Sequence, residues 1–364
     1  MVVRLLAGLS LLSGATLAGA QPAVNSDPEI ATLAKAAETA RGLKLLQPLI
    51  VRRLDRAALG VFLKRELRSE PTLGPDYGDV YRLLGVIDQR ADLRTLMTDV
   101  LGDQVLGVYD DDRKELLLIR TKGAEASTNT IVHEIVHAIQ DQHFDLRGRR
   151  IRPGPHQSDA GAAAISVVEG DATEAGFRDL SGRGTGAALA ELFGALGQLS
   201  GGKGTRIPPY IERQMTFPYE EGMAFVKELR ARGGRKLVDR AFRNPPKTTA
   251  AILDVRRYLA GNPGPLAVTL PRPVAGARRV IDTTYGAAEI LALTGNRSLA
   301  SGWNGGRLSL DRAGNRRILS IRLRANNAKQ IGAAFRRSLP AGAKVSVAGP
   351  WVSVHIIGRR GGTS

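Results

Sequence analysis

His133-Glu134-Ile135-Val136-His137-Ala138-Ile139-Gln140-Asp141-Gln142-His143-Phe144-Asp145-Leu146 is the stretch on which the reading of this 364-residue chain turns. It opens with an HExxH motif. A helix advances about 100° per residue, so residues four apart differ by about 40° and stand one turn apart. His133 and His137 can therefore present two imidazoles to one metal ion. Glu134 sits beside them and reaches a water at the metal rather than the metal. Zinc makes such a water acidic, and a carboxylate can take its proton as it attacks a carbonyl. The context is helical: Ile131, Ile135 and Ile139 give an apolar face, and Ser127 or Thr128 can cap the start. Before the helix, residues 104–109 and 115–120 are β-rich runs. They flank the turn cluster Asp110-Asp111-Asp112-Arg113, which predicts a hairpin.

A catalytic zinc site needs a third protein ligand. His143 lies ten residues after His133, but position 140 is Gln rather than the glycine that would turn the chain. On a continuing helix His143 falls about 280° around from His133, off the metal face. Glu169 lies 32 residues after His137, in Val168-Glu169-Gly170-Asp171-Ala172-Thr173 on a second expected helix over 162–180. A carboxylate from a second helix completes a His₂Glu set, so Glu169 is favoured over His143. Asp141, Asp171 and Glu174 are candidates for orienting the imidazoles. Tyr219, following Pro218, is the candidate for stabilising an oxyanion. His156, in a loop between the two site helices, is a candidate to close over the cleft, with a plain surface role as the alternative.

The stretch resembles the zincin helix of the gluzincin metallopeptidases. It is similar in particular to exported bacterial proteins with HExxHAxQDQHFDL followed by EGDA. Phe217-Pro218-Tyr219 with Gly222 and Phe225-Val226, Asn244-Pro245-Pro246 with Thr248-Thr249, and Gly302-Trp303-Asn304-Gly305 extend the likeness. The resemblance implies zinc on His133, His137 and Glu169, with Glu134 as general base. It also implies a sheet edge for an extended peptide, which we expect at 115–120. The sequence departs from that pattern at Thr173, where many gluzincins carry Asp. Ala250 and Asp254 stand where a glutamate and a histidine are expected.

Composition frames the rest. The chain has no cysteine, which excludes disulfides, Cys-ligated zinc, iron–sulfur clusters and thiol catalysis. Aromatic residues are 5%, thin for a base-stacking nucleic-acid platform. No phosphate loop, dinucleotide fingerprint or Ser/His/Asp order stands out. The net charge is +17, with 41 Arg against 11 Lys. Residues 281–364 hold 13 Lys/Arg against 3 Asp/Glu, so the charge concentrates near the C-terminus. Residues 1–20 have a basic start, an apolar run and small residues at the end, the order of a cleaved signal peptide.

The expected organisation is a signal peptide (1–20), a zincin-like domain (21–270) and a small basic α/β module (271–364). The pattern over 28–97 reads as helical, 182–205 as a glycine-rich insertion, and 262–273, with four prolines, as a linker. The fold class is thus α+β, with a mainly helical catalytic domain and a small sheet. The expected function is an exported zinc metallopeptidase, in the periplasm, cell envelope or outside the cell, acting on protein or peptide. The alternative is a non-catalytic envelope protein with a degenerate zincin core, held to an anionic surface by its basic module.

Overall fold

The computed structural model describes residues 23–24, 27–120, 126–148, 151, 156–178 and 207–359. The expectations for residues 1–20 and 182–205 lie outside them. The described chain is α+β. Strand β1 (Ala23–Val24) leads to α1 (Pro28–Arg41). Asp27 caps α1 by accepting the Glu29 N–H, and Gly42 ends it in the left-handed region at φ +75°. Strand β2 (Ile50–Asp55) follows, and its last residue caps α2 (Arg56–Ser69). A 3₁₀ turn (Pro71–Leu73), α3 (Pro75–Leu83) and α4 (Leu93–Gln104) precede the hairpin of β3 (Gly107–Asp110) and β4 (Glu115–Arg120). Helices α5 (Thr128–Phe144), α6 (Ser158–Arg178) and α7 (Pro209–Arg243) carry the candidate site. Ser127 caps α5, accepting the Thr130 N–H. Helix α7 breaks at Gly233 and Gly234.

Two expectations are corrected here. Residues 50–55 are not helical. Their apolar spacing, with Val51 and Leu54 buried three apart, suits a helix, but they pair in parallel with β4, from Ile50 opposite Glu115 to Asp55 opposite Arg120. The sheet order is β1-β2-β4-β3, so β4 lies between two neighbours and has no free edge. The edge beside α5 is β3.

The short helices α8 (Thr249–Leu253) and α9 (Val255–Leu259) then lead into β5 (Arg278–Thr284). After it come α10 (Ala287–Thr294), α11 (Arg297–Ser301), β6 (Trp303–Ala313), β7 (Arg316–Ala325), α12 (Ala328–Ser338), β8 (Lys344–Ala348) and β9 (Trp351–Arg359). The five strands form an antiparallel sheet in the order β5-β6-β7-β9-β8. Its inner face shares one core with the helices: Phe225, Tyr258, Trp303, Phe335 and Val354 belong to a single buried cluster. A second cluster joins α1, the first sheet and α5 through Ile30, Val51, Leu116, Ile135 and Ile139.

The proline-rich stretch 262–273 is docked on the second sheet. Leu266 N–H donates to the Asn304 carbonyl (2.8 Å), and Arg322 donates to the Thr269 carbonyl (3.0 Å). A Cβ on Gly305 would lie 2.4 Å from the Leu266 oxygen, so only glycine lets the backbones approach. The Gly302–Gly305 motif is therefore structural: Trp303 is buried, and its indole N–H donates to the Tyr285 carbonyl (2.9 Å).

Candidate metal centre

Helix α5 is buried on nearly every side, packed against the first sheet, α1 and α6. Its motif residues project to the junction with α6 and α7. The Nε2 atoms of His133 and His137 lie 3.0 Å apart, and Oε2 of Glu169 on α6 lies 3.2 Å from each. The two rings meet edge to face, with centroids 4.6 Å apart. Three donor atoms thus form a nearly equilateral triangle. A tetrahedral ion with bonds of about 2.0–2.1 Å would separate its ligands by about 3.3 Å, so the triangle is close to the right size. Donor atoms of His133, Glu134 and His137 also lie within 4.8 Å of one another. This group can hold a metal ion.

The electrostatics suit a cation. Burial alone would lower the pKa of His137, but the Glu169 carboxylate outweighs it and pushes the imidazole up to about 9. Burial alone would raise Glu169, but the facing imidazoles hold it down at about 2. Without a metal, the raised pKa of His137 sets a proton on that ring against the Glu169 carboxylate.

Glu134 is half-buried and turned toward the first sheet, where its Oε2 accepts the backbone N–H of Tyr109 on β3 (2.7 Å). Tyr219, on α7, stacks on His133 with centroids 6.0 Å apart and hydrogen-bonds to Glu169. Burial, with the nearby negative charges of Glu169 and Glu134, drives its pKa well above that of free tyrosine, so it stays a neutral donor. His143 is not brought in: its Nε2 meets the Lys44 carbonyl (2.9 Å). His156 is exposed and donates through Nδ1 to the Asp282 carbonyl (2.7 Å), on the second sheet.

The candidates for orienting the imidazoles separate. Asp141 accepts from the Tyr109 hydroxyl (3.0 Å) and Lys114 (2.6 Å), so it supports the strand that holds Glu134. Glu174 pairs with Arg230 (3.2 Å). Asp171 reaches His137 through Gln140. His137 Nδ1 lies 2.9 Å from Oε1 of Gln140, whose amide nitrogen donates to the Val168 carbonyl and to Oδ2 of Asp171, both at 3.0 Å. On the other ring, His133 Nδ1 is buried without a hydrogen-bond partner among the described residues, as is the hydroxyl of Thr173.

The sequence reading missed Gln140, Tyr109 and Arg41. Gln140 had one signal: it follows His137 by three residues, which places it on the same helix face. Tyr109 acts through its backbone, which no side-chain motif reveals. The chain matches no protein-family model, no curated protein and no solved structure. Among the described residues no helix is long and apolar enough to cross a membrane.

Proposed function

We propose that this protein is an exported zinc metallopeptidase of zincin-like fold, hydrolysing peptide bonds in protein or peptide substrates. One observation carries the reading: two imidazole nitrogens and a carboxylate oxygen converge within 3.2 Å, with a second carboxylate one residue along the same helix. That donor set, neutral nitrogen twice and anionic oxygen once, is one that catalytic zinc takes while leaving a position open. His133, His137 and Glu169 would hold the ion. Zinc supplies a Lewis acid that activates water and polarises the scissile carbonyl.

The remaining work falls to the chain. Glu134 takes the proton of the attacking water and returns it to the departing amine, acting as general base and then acid. The Tyr109 N–H fixes one oxygen of Glu134 and leaves the other for the water. Tyr219, kept protonated by its surroundings, donates a hydrogen bond where negative charge develops.

The test is zinc content together with cleavage of unfolded casein. Wild type should carry one zinc per chain and cleave. Glu134→Gln should keep the zinc and lose at least about 100-fold in turnover. Cleavage by that variant at the wild-type rate would exclude the mechanism.

A second reading has its own observation. Among the described residues no carboxylate comes within ion-pairing distance of Arg316, Arg322, Arg324, Arg336, Arg337 or Lys344, whereas Arg279, Arg307 and Arg317 are paired. These cations on the second sheet and α12 favour attachment to an anionic cell-envelope polymer, with or without catalysis. Replacing Arg322, Arg324 and Lys344 by Gln should lower the salt needed to elute the protein from phosphocellulose. Unchanged elution would exclude this surface.

A further inference from the structure

The contacts of Gln140 identify a residue that acts on the site through His137 rather than on the metal itself. His137 can bind a metal through Nε2 only if its remaining proton sits on Nδ1. An acceptor must therefore face Nδ1. Metal-binding histidines commonly meet a carboxylate or a backbone carbonyl there. In this chain the acceptor is an amide oxygen, Oε1 of Gln140 at 2.9 Å.

An amide can turn over and offer nitrogen instead. Here it is held. The Gln140 nitrogen faces the Val168 carbonyl and Oδ2 of Asp171, each at 3.0 Å, and both accept only. Turning the amide over would set its oxygen against two oxygens and leave a buried nitrogen facing His137. Asp171 is fixed in turn. Its Oδ2 lies 2.5 Å from Nε of Arg41, and Oδ1 lies 3.3 Å from Arg230. Arg41 is fully buried on α1, beside the stacked rings of Phe144 and Phe242, and pairs with Asp239 at 2.7 Å. The line Asp239–Arg41–Asp171–Gln140–His137 runs through α7, α1, α6 and α5, and every step is buried or nearly so.

We infer that Gln140 is a positioning residue which, oriented by Asp171 and Arg41, locks the proton of His137 on Nδ1 and so presents Nε2 to the metal. The inference rests on the zinc reading above. Thr173 stands four residues after Glu169 and its hydroxyl meets no partner among the described residues, so the carboxylate on α6 that orients His137 is Asp171, acting through an intervening amide. This route adds no negative charge directly at the ring, because a neutral amide separates Asp171 from it.

The test uses the full-length protein and zinc alone. Competition against a chromophoric chelator is measured for wild type and for Gln140→Leu, which keeps the side-chain bulk and removes the acceptor. The variant should bind zinc about 10- to 100-fold more weakly. Nitrogen-15 NMR of the histidine-labelled, zinc-loaded wild type should show His137 protonated at Nδ1 and slow to exchange with solvent. That second measurement needs no variant, so a Gln140→Leu chain that failed to fold would still leave the inference open to refutation. Wild-type zinc binding with Gln140→Leu unchanged within twofold would overturn the inference alone. So would a His137 Nδ1 without a proton. A wild type that takes up no zinc would overturn both this inference and the proposed function.

Discussion

The backbone N–H of Tyr109 donates to Oε2 of Glu134 across 2.7 Å, tying the motif glutamate on α5 to the edge strand of the first sheet. The strand is itself held. The Tyr109 hydroxyl is anchored on Asp141. One oxygen of Glu134 is thus fixed by an edge N–H that β4 does not use. Shortening the side chain by one methylene cannot serve both the strand and the metal position. Glu134→Asp should therefore keep zinc yet lose about 100-fold or more in kcat. Zinc analysis and casein cleavage check this, and an Asp variant within tenfold of wild type would contradict it.

Zinc uptake should depend steeply on pH. His137 is pushed up to about 9, chiefly by Glu169, which outweighs the opposing effect of burial. At neutral pH the ring is therefore an imidazolium in the metal-free protein, and zinc must displace its proton. Affinity should rise about tenfold per pH unit from pH 6.5 to about 9, then level off. Metal-free stability should run the opposite way. The raised pKa of His137 contributes stability that is full below its unfolded value of about 6.5 and lost as pH rises through about 9. Glu169, held down at about 2, contributes stability that is full above its unfolded value of about 4.5 and lost as pH falls from there through about 2. Calorimetry in two buffers of different ionisation enthalpy at pH 7 should report about one proton released per zinc. No proton release would refute the assignment.

The candidate site was legible where local helix geometry carries it. His133 and His137 meet because four residues make about one turn, and Glu169 was reachable because its own helix could be recognised. Tyr219 lies against Glu169, but Pro218 does not open a helix before it: Pro218 stands inside α7, which begins at Pro209. What stayed hidden depends on distant segments. Arg41 lies 130 positions before Asp171, and nothing in its own helix marks it as fully buried. Strand β2 has apolar spacing that suits a helix, and only its parallel pairing with β4 decides otherwise. The prolines of 262–273 read as a linker because proline removes backbone donors. The donor that matters there is the N–H of Leu266, which meets β6.

Asp159 should make the stability of the whole fold pH-dependent. It lies at the start of α6, fully buried, where it accepts from both the N–H and the hydroxyl of Thr249. Gly286 leaves it space, since a Cβ there would stand 1.7 Å from Oδ1. Burial pushes its carboxyl well above the usual range, and the charge of Glu289 adds to this. A raised carboxylate pKa means that the folded state holds a proton the unfolded state has released. Stability is then lost as pH rises from about 4 toward the folded value. Asp159→Asn keeps an acceptor for Thr249 and has no proton to lose. The melting temperature of wild type relative to this variant should fall between pH 5 and pH 8. A constant difference would show that Asp159 does not titrate in that window.

Gly170, between Glu169 and Asp171, should be nearly irreplaceable. A Cβ there would lie 2.1 Å from the carbonyl carbon of Gly222 on α7, and a Cβ on Gly222 would lie 2.1 Å from the Ser166 oxygen. The α6 and α7 backbones touch at this crossing, one residue from Glu169 and three from Tyr219. Gly170→Ala must push the helices apart, at about 1–3 kcal/mol of stability. The displacement should also weaken the contact between Tyr219 and Glu169 and lower kcat. Gly176, further along α6, is the control: the nearest atom to a Cβ there is the Asn129 oxygen at 3.8 Å. Gly176→Ala should be neutral or stabilise by up to about 1 kcal/mol, as alanine does in a helix with room for it. Thermal melts of the two variants separate a packing requirement at the crossing from a general preference of α6 for alanine. Equal effects would mean that the crossing does not set the distance between Glu169 and Tyr219.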